Sequence, residues 1–173
     1  LLISTCSGAW RYLIGDTIKF TNLDRCEIKI TGRTKHFLSL CGEHLSVDNM
    51  NKAIELLSNE YDVPFEEFTV CGIPYQGFFA HEWFIACDDQ KLKGREDELR
   101  YKLDMTLKVL NDDYRVERSA ALKAIKINLL PTSKFHDWLR INGKEGAQIK
   151  FPRVLKKEML ENWRNHLKNS YKC

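Results

Sequence analysis

The sequence predicts an α+β chain: a split βαβ-like antiparallel sheet with helices on one face, preceded by the β-rich tail of a larger N-terminal domain. Three observations carry this expectation. Residues 1–33 hold only short strand-like runs. From about residue 36 the apolar period switches back and forth between strand and helix spacing. The resulting order is hairpin, helix, strand, strand, helix, strand, helix, helix, which suits a sheet covered by helices.

Local signals place each element. The run WRYLIGDTIKF, Trp10–Phe20, breaks at Gly15-Asp16 and then resumes with alternation; EIKITGR alternates and stops at Gly32. FLSLCGEHL reads as a tight hairpin turning near Cys41-Gly42-Glu43. Ser46 is a good N-cap for a helix carrying Val47, Met50, Ile54, Leu57 and Tyr61 at helical spacing, ended by Pro64. Two strands, EFTVCGI and GFFAHEWFIAC, flank a turn at Pro74-Tyr75-Gln76-Gly77. A second helix fits 95–111, with Leu99, Leu103, Leu107 and Leu110 on one face. LKAIKINLL is a strand with Ile125, Ile127 and Leu129 inward. Pro131 stops it, and Thr132 or Ser133 caps a short helix through Trp138-Leu139. After the loop INGKEGAQIKFPR, a last helix over 155–170 presents Leu155, Met159, Trp163 and Leu167.

Composition bounds the function. The chain has 173 residues, 43% hydrophobic and 29% charged, a globular balance sufficient for a core. No apolar run approaches the roughly 18 residues of a membrane span. Net charge is +3, too mild to argue for nucleic acid on its own. The charge is uneven: residues 144–173 hold eight Lys and Arg against three Glu, which suits an anionic partner. The six cysteines lie at 6, 26, 41, 71, 87 and 173. None forms a C-x-x-C pair, so buried reduced thiols of a cytoplasmic protein are expected rather than a zinc site or disulfide framework. Leu1-Leu2-Ile3 is read as neither a signal peptide nor a natural start, but as the cut end of a longer protein.

The break at Gly15-Asp16 gains meaning from a second motif downstream. Asp16 precedes Gly32-Arg33-Thr34-Lys35, which precedes a hairpin carrying Gly42. A carboxylate accepts two hydrogen bonds from a vicinal diol such as a ribose, and an arginine nearby donates to the same sugar or to a phosphate. Either dipeptide alone is ordinary turn chemistry; together, in this order and ahead of a change of domain, they are more specific. On these residues the chain resembles the adenylate-forming superfamily of luciferase, acyl-CoA synthetases and peptide synthetase adenylation domains. Tyr12-Leu13-Ile14-Gly15-Asp16 is similar to its Y-x-T-G-D motif. GRTKHFLSLCGEHLS, residues 32–46, is similar to G-R-x-[D/K]-x-x-I-K-x-x-G-x-R-I-E, with Gly32, Arg33, Lys35 and Gly42 in place. Ile14, Ser39, His44 and Ser46 depart from the pattern. With Gly146-Ala147-Gln148-Ile149-Lys150-Phe151-Pro152-Arg153, these departures resemble the auxin-responsive Gretchen Hagen-type family of acyl acid amido synthetases, in its bacterial form.

The resemblance implies a division at residue 35: residues 1–35 as the tail of the large adenylation domain plus hinge, and 36–173 as a mobile C-terminal lid packing on its own N-terminal domain. It implies that Asp16 binds the ribose hydroxyls of ATP, that Arg33 and Tyr12 lie along the same nucleotide, that Lys35 is the hinge, and that Lys150 is the catalytic lysine, with Lys144 the runner-up. Mg²⁺ and ATP would be held mainly by the missing domain, and the substrates would be a small acyl acid and an amine, an amino acid being the amine the family implies. Charge chemistry independently favours a lysine at position 150, since a compact cation on a long stem suits a glycine-bordered loop aimed at a developing phosphate charge. The plain alternatives are a turn acid at Asp16, a solvated strand end at Arg33 and a surface lysine at Lys35. His81 and Glu82 are adjacent, so they point to opposite faces of a strand and form no simple pair. His136, Trp138 and Trp163 read as core, and His44 as a candidate replacement for the motif arginine near the amine. Three functions are open: the inactive isolated lid of an amide-forming ligase; the lid of an acyl-CoA ligase; or a non-enzymatic α+β module binding an anionic partner.

Overall fold

The computed structural model describes residues 2–13, 16–33, 37–143 and 150–169, with the backbone alone at 13, 16, 32, 33 and 37. Strands β1 (Leu2–Ile3) and β2 (Tyr12–Leu13) pair antiparallel, as do β3 (Asp16–Asn22) and β4 (Glu27–Arg33). The expected small hairpin is formed by β5 (Phe37–Leu38) and β6 (Leu45–Ser46). Helix α1 spans Val47–Tyr61 and starts at Ser46 with a complete capping box: the Ser46 hydroxyl accepts from the Asn49 amide, and the Asn49 side chain accepts from the Ser46 amide. It ends at Asp62, whose φ of 51° stops the helix before Pro64.

Strands β7 (Phe68–Tyr75) and β8 (Phe78–Ala86) form the centre of the chain. Gln76 and Gly77 join them at φ 49° and 80°, the two positive values that a tight hairpin turn needs. Helices α2 (Glu96–Leu110) and α3 (Asp112–Ser119) come next, then β9 (Leu122–Leu130), α4 (Thr132–Ile141) and α5 (Lys157–Asn169). The sheet order is β7-β8-β9.

The α+β class is as the sequence predicts, and two features of its arrangement differ. First, β9 runs parallel to β8. The connection between them carries α2 and α3 across the sheet, the length of crossover that parallel pairing requires. Second, helices cover both faces. Met50, Ile54, Leu57, Leu99, Leu103 and Leu107 pack on Phe68, Val70, Trp83, Ile85 and Ile125. Phe135, Trp138, Phe151, Leu160 and Trp163 pack on Cys71, Ile73, Ala80, Phe84 and Ala86. Strand side chains alternate between the two cores, which is why FFAHEWFIA is nearly continuous in apolar residues rather than alternating. The second core is dominated by rings: Phe151 lies 4.9 Å from Phe135, 4.9 Å from Trp138 and 5.1 Å from Trp163.

Smaller expectations are corrected. The helix expected over 95–111 is followed by a second one, α3, because Asn111 is extended and caps it by accepting from the Tyr114 amide. Neither Thr132 nor Ser133 caps α4: Thr132 is its first residue, and its amide donates to Asp88 Oδ1 at 3.1 Å. Helix α5 starts at Lys157, so Leu155 precedes it and bonds to β7 instead. His136 is exposed, whereas Trp138 and Trp163 are buried as expected. Of the described cysteines only Cys71 is buried; Cys6 and Cys26 are exposed, and all five thiols are free. Cys173 lies outside the described residues.

Gly72 on β7 ties the hairpin loop to the sheet. A Cβ there would stand 2.2 Å from Leu40 Cδ2 and 2.5 Å from Leu40 Cγ, so Leu40 seats in the notch that only glycine leaves. Gly72→Ala should destabilise the fold by about 1–3 kcal/mol through overpacking, and Leu40→Ala should remove most of that penalty in the double variant. Urea unfolding of the four proteins checks it; additive losses would mean the notch is not where the two residues interact.

Candidate functional site

The sequence-predicted residues fall into two groups. In the β3–β4 hairpin, Asp16 is the direct cross-strand partner of Arg33, and Thr17 of Gly32. Direct partners in an antiparallel pair have Cα atoms roughly 4.5–5.5 Å apart, so an acid and an arginine distant in sequence share one end of one ribbon. Tyr12 sits on β2 with its side chain largely exposed, two residues ahead of Ile14. Lys35 and Lys144 lie outside the described residues, as does the run Gly146-Ala147-Gln148-Ile149.

Lys150 is exposed and borders an anchored segment. Phe151, 1% exposed, plugs the ring cluster. The Thr69 hydroxyl donates to Pro152 O at 2.7 Å, the Val70 amide donates to Arg153 O at 2.9 Å, and the Leu155 amide returns a bond to Val70 O at 3.0 Å. Residues 152–155 thus extend the sheet beside β7, through a parallel bridge between Val70 and Val154. Arg153 is committed to this anchor: its guanidinium pairs with Glu67, donates to Phe68 O at 3.0 Å and lies 4.3 Å from the centre of the Phe68 ring. A lysine directly before such a clamp has a fixed pivot at its C-terminal side.

A third group was not expected. Glu43 and His81 are both fully buried, and His81 Nε2 lies 2.8 Å from Glu43 Oε1. The same carboxylate accepts from the amides of Leu40 at 2.9 Å and Cys41 at 3.0 Å. Burial pushes the Glu43 carboxyl upward, but His81 and these amides outweigh it and hold the group down at about 2. Burial dominates at His81 and lowers it, against the opposing pull of Glu43. With Nε2 turned to Glu43, His81 Nδ1 is buried without a partner, which also disfavours a second ring proton. The Tyr114 ring lies 5.9 Å from His81, and its hydroxyl donates to Asp104 Oδ1 at 2.9 Å, where Arg118 Nε also donates at 2.7 Å. No local signal shows this pairing, since its partners are 38 positions apart. The reading of His81 as a core residue stands; what it meets across the fold was not legible.

His44 comes directly after Glu43, at a φ of 38° that few non-glycine residues adopt. Its Nδ1 lies 3.6 Å from Asp113 Oδ2, with 61% of its side chain exposed. Among the described residues there is no cluster of three or more His, Cys, Asp or Glu able to hold a metal ion, and no helix long and apolar enough to cross a membrane.

Residues 48–159 match the model of the GH3 family C-terminal domain. No curated protein matches the sequence. Among solved structures, the chain is similar to a GH3.15 acyl acid amido synthetase, with 20% identity, a TM-score of 0.73, and coverage of 95% of this chain and 33% of that one. It is also similar to AtGH3.15 acyl acid amido synthetase in complex with 2,4-DB, with 21% identity, a TM-score of 0.74, and coverage of 95% and 32%. A 2-hydroxyisobutyryl-CoA ligase in the postadenylation state, with 2-HIB-AMP bound, shares the fold at 16% identity, a TM-score of 0.52, and coverage of 92% and 31%. The chain spans about a third of the length of the solved structures it matches.

The buried pair sets an acid limit on stability. Glu43 sits below its ordinary 4.5 in the fold, so its contribution is complete above 4.5 and is lost as pH falls toward 2. His81 sits below its ordinary 6.5, so the unfolded chain takes that proton first and stability falls as pH drops below 6.5. The urea midpoint should therefore decline below pH 6.5 and more steeply below 4.5. Glu43→Gln should lower it at neutral pH and flatten the lower limb; an unchanged limb would assign the acid sensitivity elsewhere.

Proposed function

The chain belongs to the GH3 family, whose C-terminal domain it carries, and from that premise we propose that it is the moving lid of an ATP-dependent ligase that adenylates a carboxylic acid and joins it to an amine. The match of residues 48–159 to that domain carries the reading. Residues 1–35 are the end of the adenylation domain with its hinge, and 36–173 are the lid. The β3–β4 hairpin supports this division: Phe20, Ile28 and Ile30 are about half exposed or more, and the pairs Ile18↔Ile30 and Phe20↔Ile28 give one face of the ribbon an apolar surface suited to a larger domain.

Each site residue then has a role. Asp16 accepts the two ribose hydroxyls of ATP, Arg33 across the ribbon donates to the same nucleotide, and Tyr12 lies along it. The chemistry of that acid–arginine pair fits a nucleoside phosphate. Mg²⁺ is assigned to ligands outside this chain. Lys35 is the hinge. Lys150 brings its ammonium to the α-phosphate while the carboxylate attacks and negative charge builds there; Lys144 is the second candidate for that role. Rotation of the lid then withdraws the lysine and opens the acyl adenylate to the amine. The AtGH3.15 complex with 2,4-DB supports a small organic acid as substrate; the amine is assigned here as an amino acid. Coenzyme A as acceptor is the alternative that the acceptor assay separates.

In the full-length ligase, ATP–pyrophosphate exchange should depend on an added acid and fall roughly 10²–10³-fold in Lys150→Ala, the loss typical of removing a donor at a developing oxyanion. Asp16→Ala should raise the KM for ATP. Exchange that survives Lys150→Ala but not Lys144→Ala would move the role to Lys144. Residues 1–173 alone should not turn over; turnover by them would sink the lid reading, and absence of exchange in the full-length protein would favour a binding module.

A further inference from the structure

Amide formation from an acyl adenylate needs a neutral amine, because an ammonium nitrogen has no lone pair to attack with. Something must take that proton at neutral pH, and histidine is the side chain suited to it. Four imidazoles are described. His81 is fully buried against Glu43. His166 Nε2 is engaged by Lys134 O at 3.0 Å, and its ring stacks on Trp163 at 5.7 Å. His136 is exposed on α4 with no carboxylate in ion-pair contact among the described residues. His44 differs from all three: it is exposed, a carboxylate stands behind Nδ1, and its backbone is held in a rare conformation.

What holds it there is buried. Leu40 fills the notch over Gly72, Glu43 is tied to His81, and Leu45 is fully buried. Asn111 Nδ2 donates to His44 O at 3.3 Å and to Asn49 Oδ1 at 3.1 Å. The peptide is thus fixed on both sides of an outward ring. A non-glycine residue at φ 38° persists only where its surroundings over-determine it. Leu40 belongs to the core beneath α1 and α2, whereas Phe151, next to Lys150, belongs to the core on the other face. The loop that carries His44 and the segment that carries Lys150 are therefore seated on opposite sides of the sheet.

We propose that His44, backed by Asp113 and fixed by the Glu43–His81 anchor, is the base that takes the proton from the attacking amine. This rests on the ligase reading above. In the step, the His44 ring takes the proton of the bound ammonium, and the lone pair so freed forms the bond from nitrogen to the acyl carbon while the bond from that carbon to the phosphate oxygen breaks. AMP leaves with that electron pair, and the second proton lost by the nitrogen goes to the departing phosphate. The resulting imidazolium faces the Asp113 carboxylate, which draws in from the 3.6 Å ion-pair distance of the resting lid.

The test uses the full-length protein with the acid that best supports exchange, and two acceptors: the pooled standard amino acids, and hydroxylamine, which is already neutral at pH 7. His44→Asn and His44→Gly both tolerate the left-handed backbone. Both should retain acid-dependent exchange, lose roughly 10²-fold or more in amide formation with amino acids, and keep hydroxamate formation close to wild type. Added imidazole should restore part of the amino acid reaction. Equal losses with both acceptors, or no loss with either, overturn the assignment while leaving the ligase reading intact. Absence of exchange in wild type overturns the ligase reading and this assignment with it.

Discussion

The arrangement depends on one strand being covered on both faces. Adjacent residues of β8 serve opposite cores, and positions 81 and 82 show the consequence most directly. His81 meets Glu43 on the side of α1 and α2. Glu82 meets Arg164 of α5 on the other side. A shift of β8 by one position would exchange the two sets and bury the Glu82 carboxylate among the apolar side chains beneath α1 and α2, Met50, Leu57, Leu99 and Leu103 among them. Register is therefore tightly specified here, and with it the placement of everything that leans on the strand.

Two edges of the fold inherit that precision. On one face, the loop from Leu40 to His44 is seated by an apolar plug and by a carboxylate with several donors. On the other, residues 151–155 are seated by a ring and by backbone bonds to β7. In both cases a polar side chain projects next to an anchor rather than from the middle of a loose segment. Anchoring of this kind lowers the entropy lost when the side chain meets a reacting group, because the backbone beside it is already ordered.

Much of the fold was legible. Ser46 and the spacing of Met50, Ile54 and Leu57 define α1; Gln76-Gly77 defines the hairpin; LKAIKINLL is β9 from end to end. The Asp16–Arg33 neighbourhood was legible too, because hairpin pairing is local and two residues equidistant from a turn must meet. What escaped was nonlocal. The direction of β9 depends on how α2 and α3 cross the sheet, and the second covered face depends on α4 and α5 folding back. Asp88 caps α4 from 44 positions away. The Glu43–His81 pair is equally remote, and an acid in CGEH looks like a turn residue until the sheet is assembled behind it. His44 was weighed only for its place in a motif; its φ and Asp113 are properties of the folded chain.

Glu43 also explains why a buried carboxylate is tolerable here. Its two oxygens receive the Leu40 and Cys41 amides and an imidazole, so desolvation is offset by donors that would otherwise be left without partners in the same loop. A neutral His81 keeps the cost at one buried charge rather than two. An apolar residue at position 43 would avoid that cost and orphan the amides. An asparagine would fall one methylene short of the strand. The carboxylate is the group that reaches the sheet and satisfies the turn together. By doing so it commits the next residue to an outward direction, which makes the position of His44 a consequence of the core rather than of the surface.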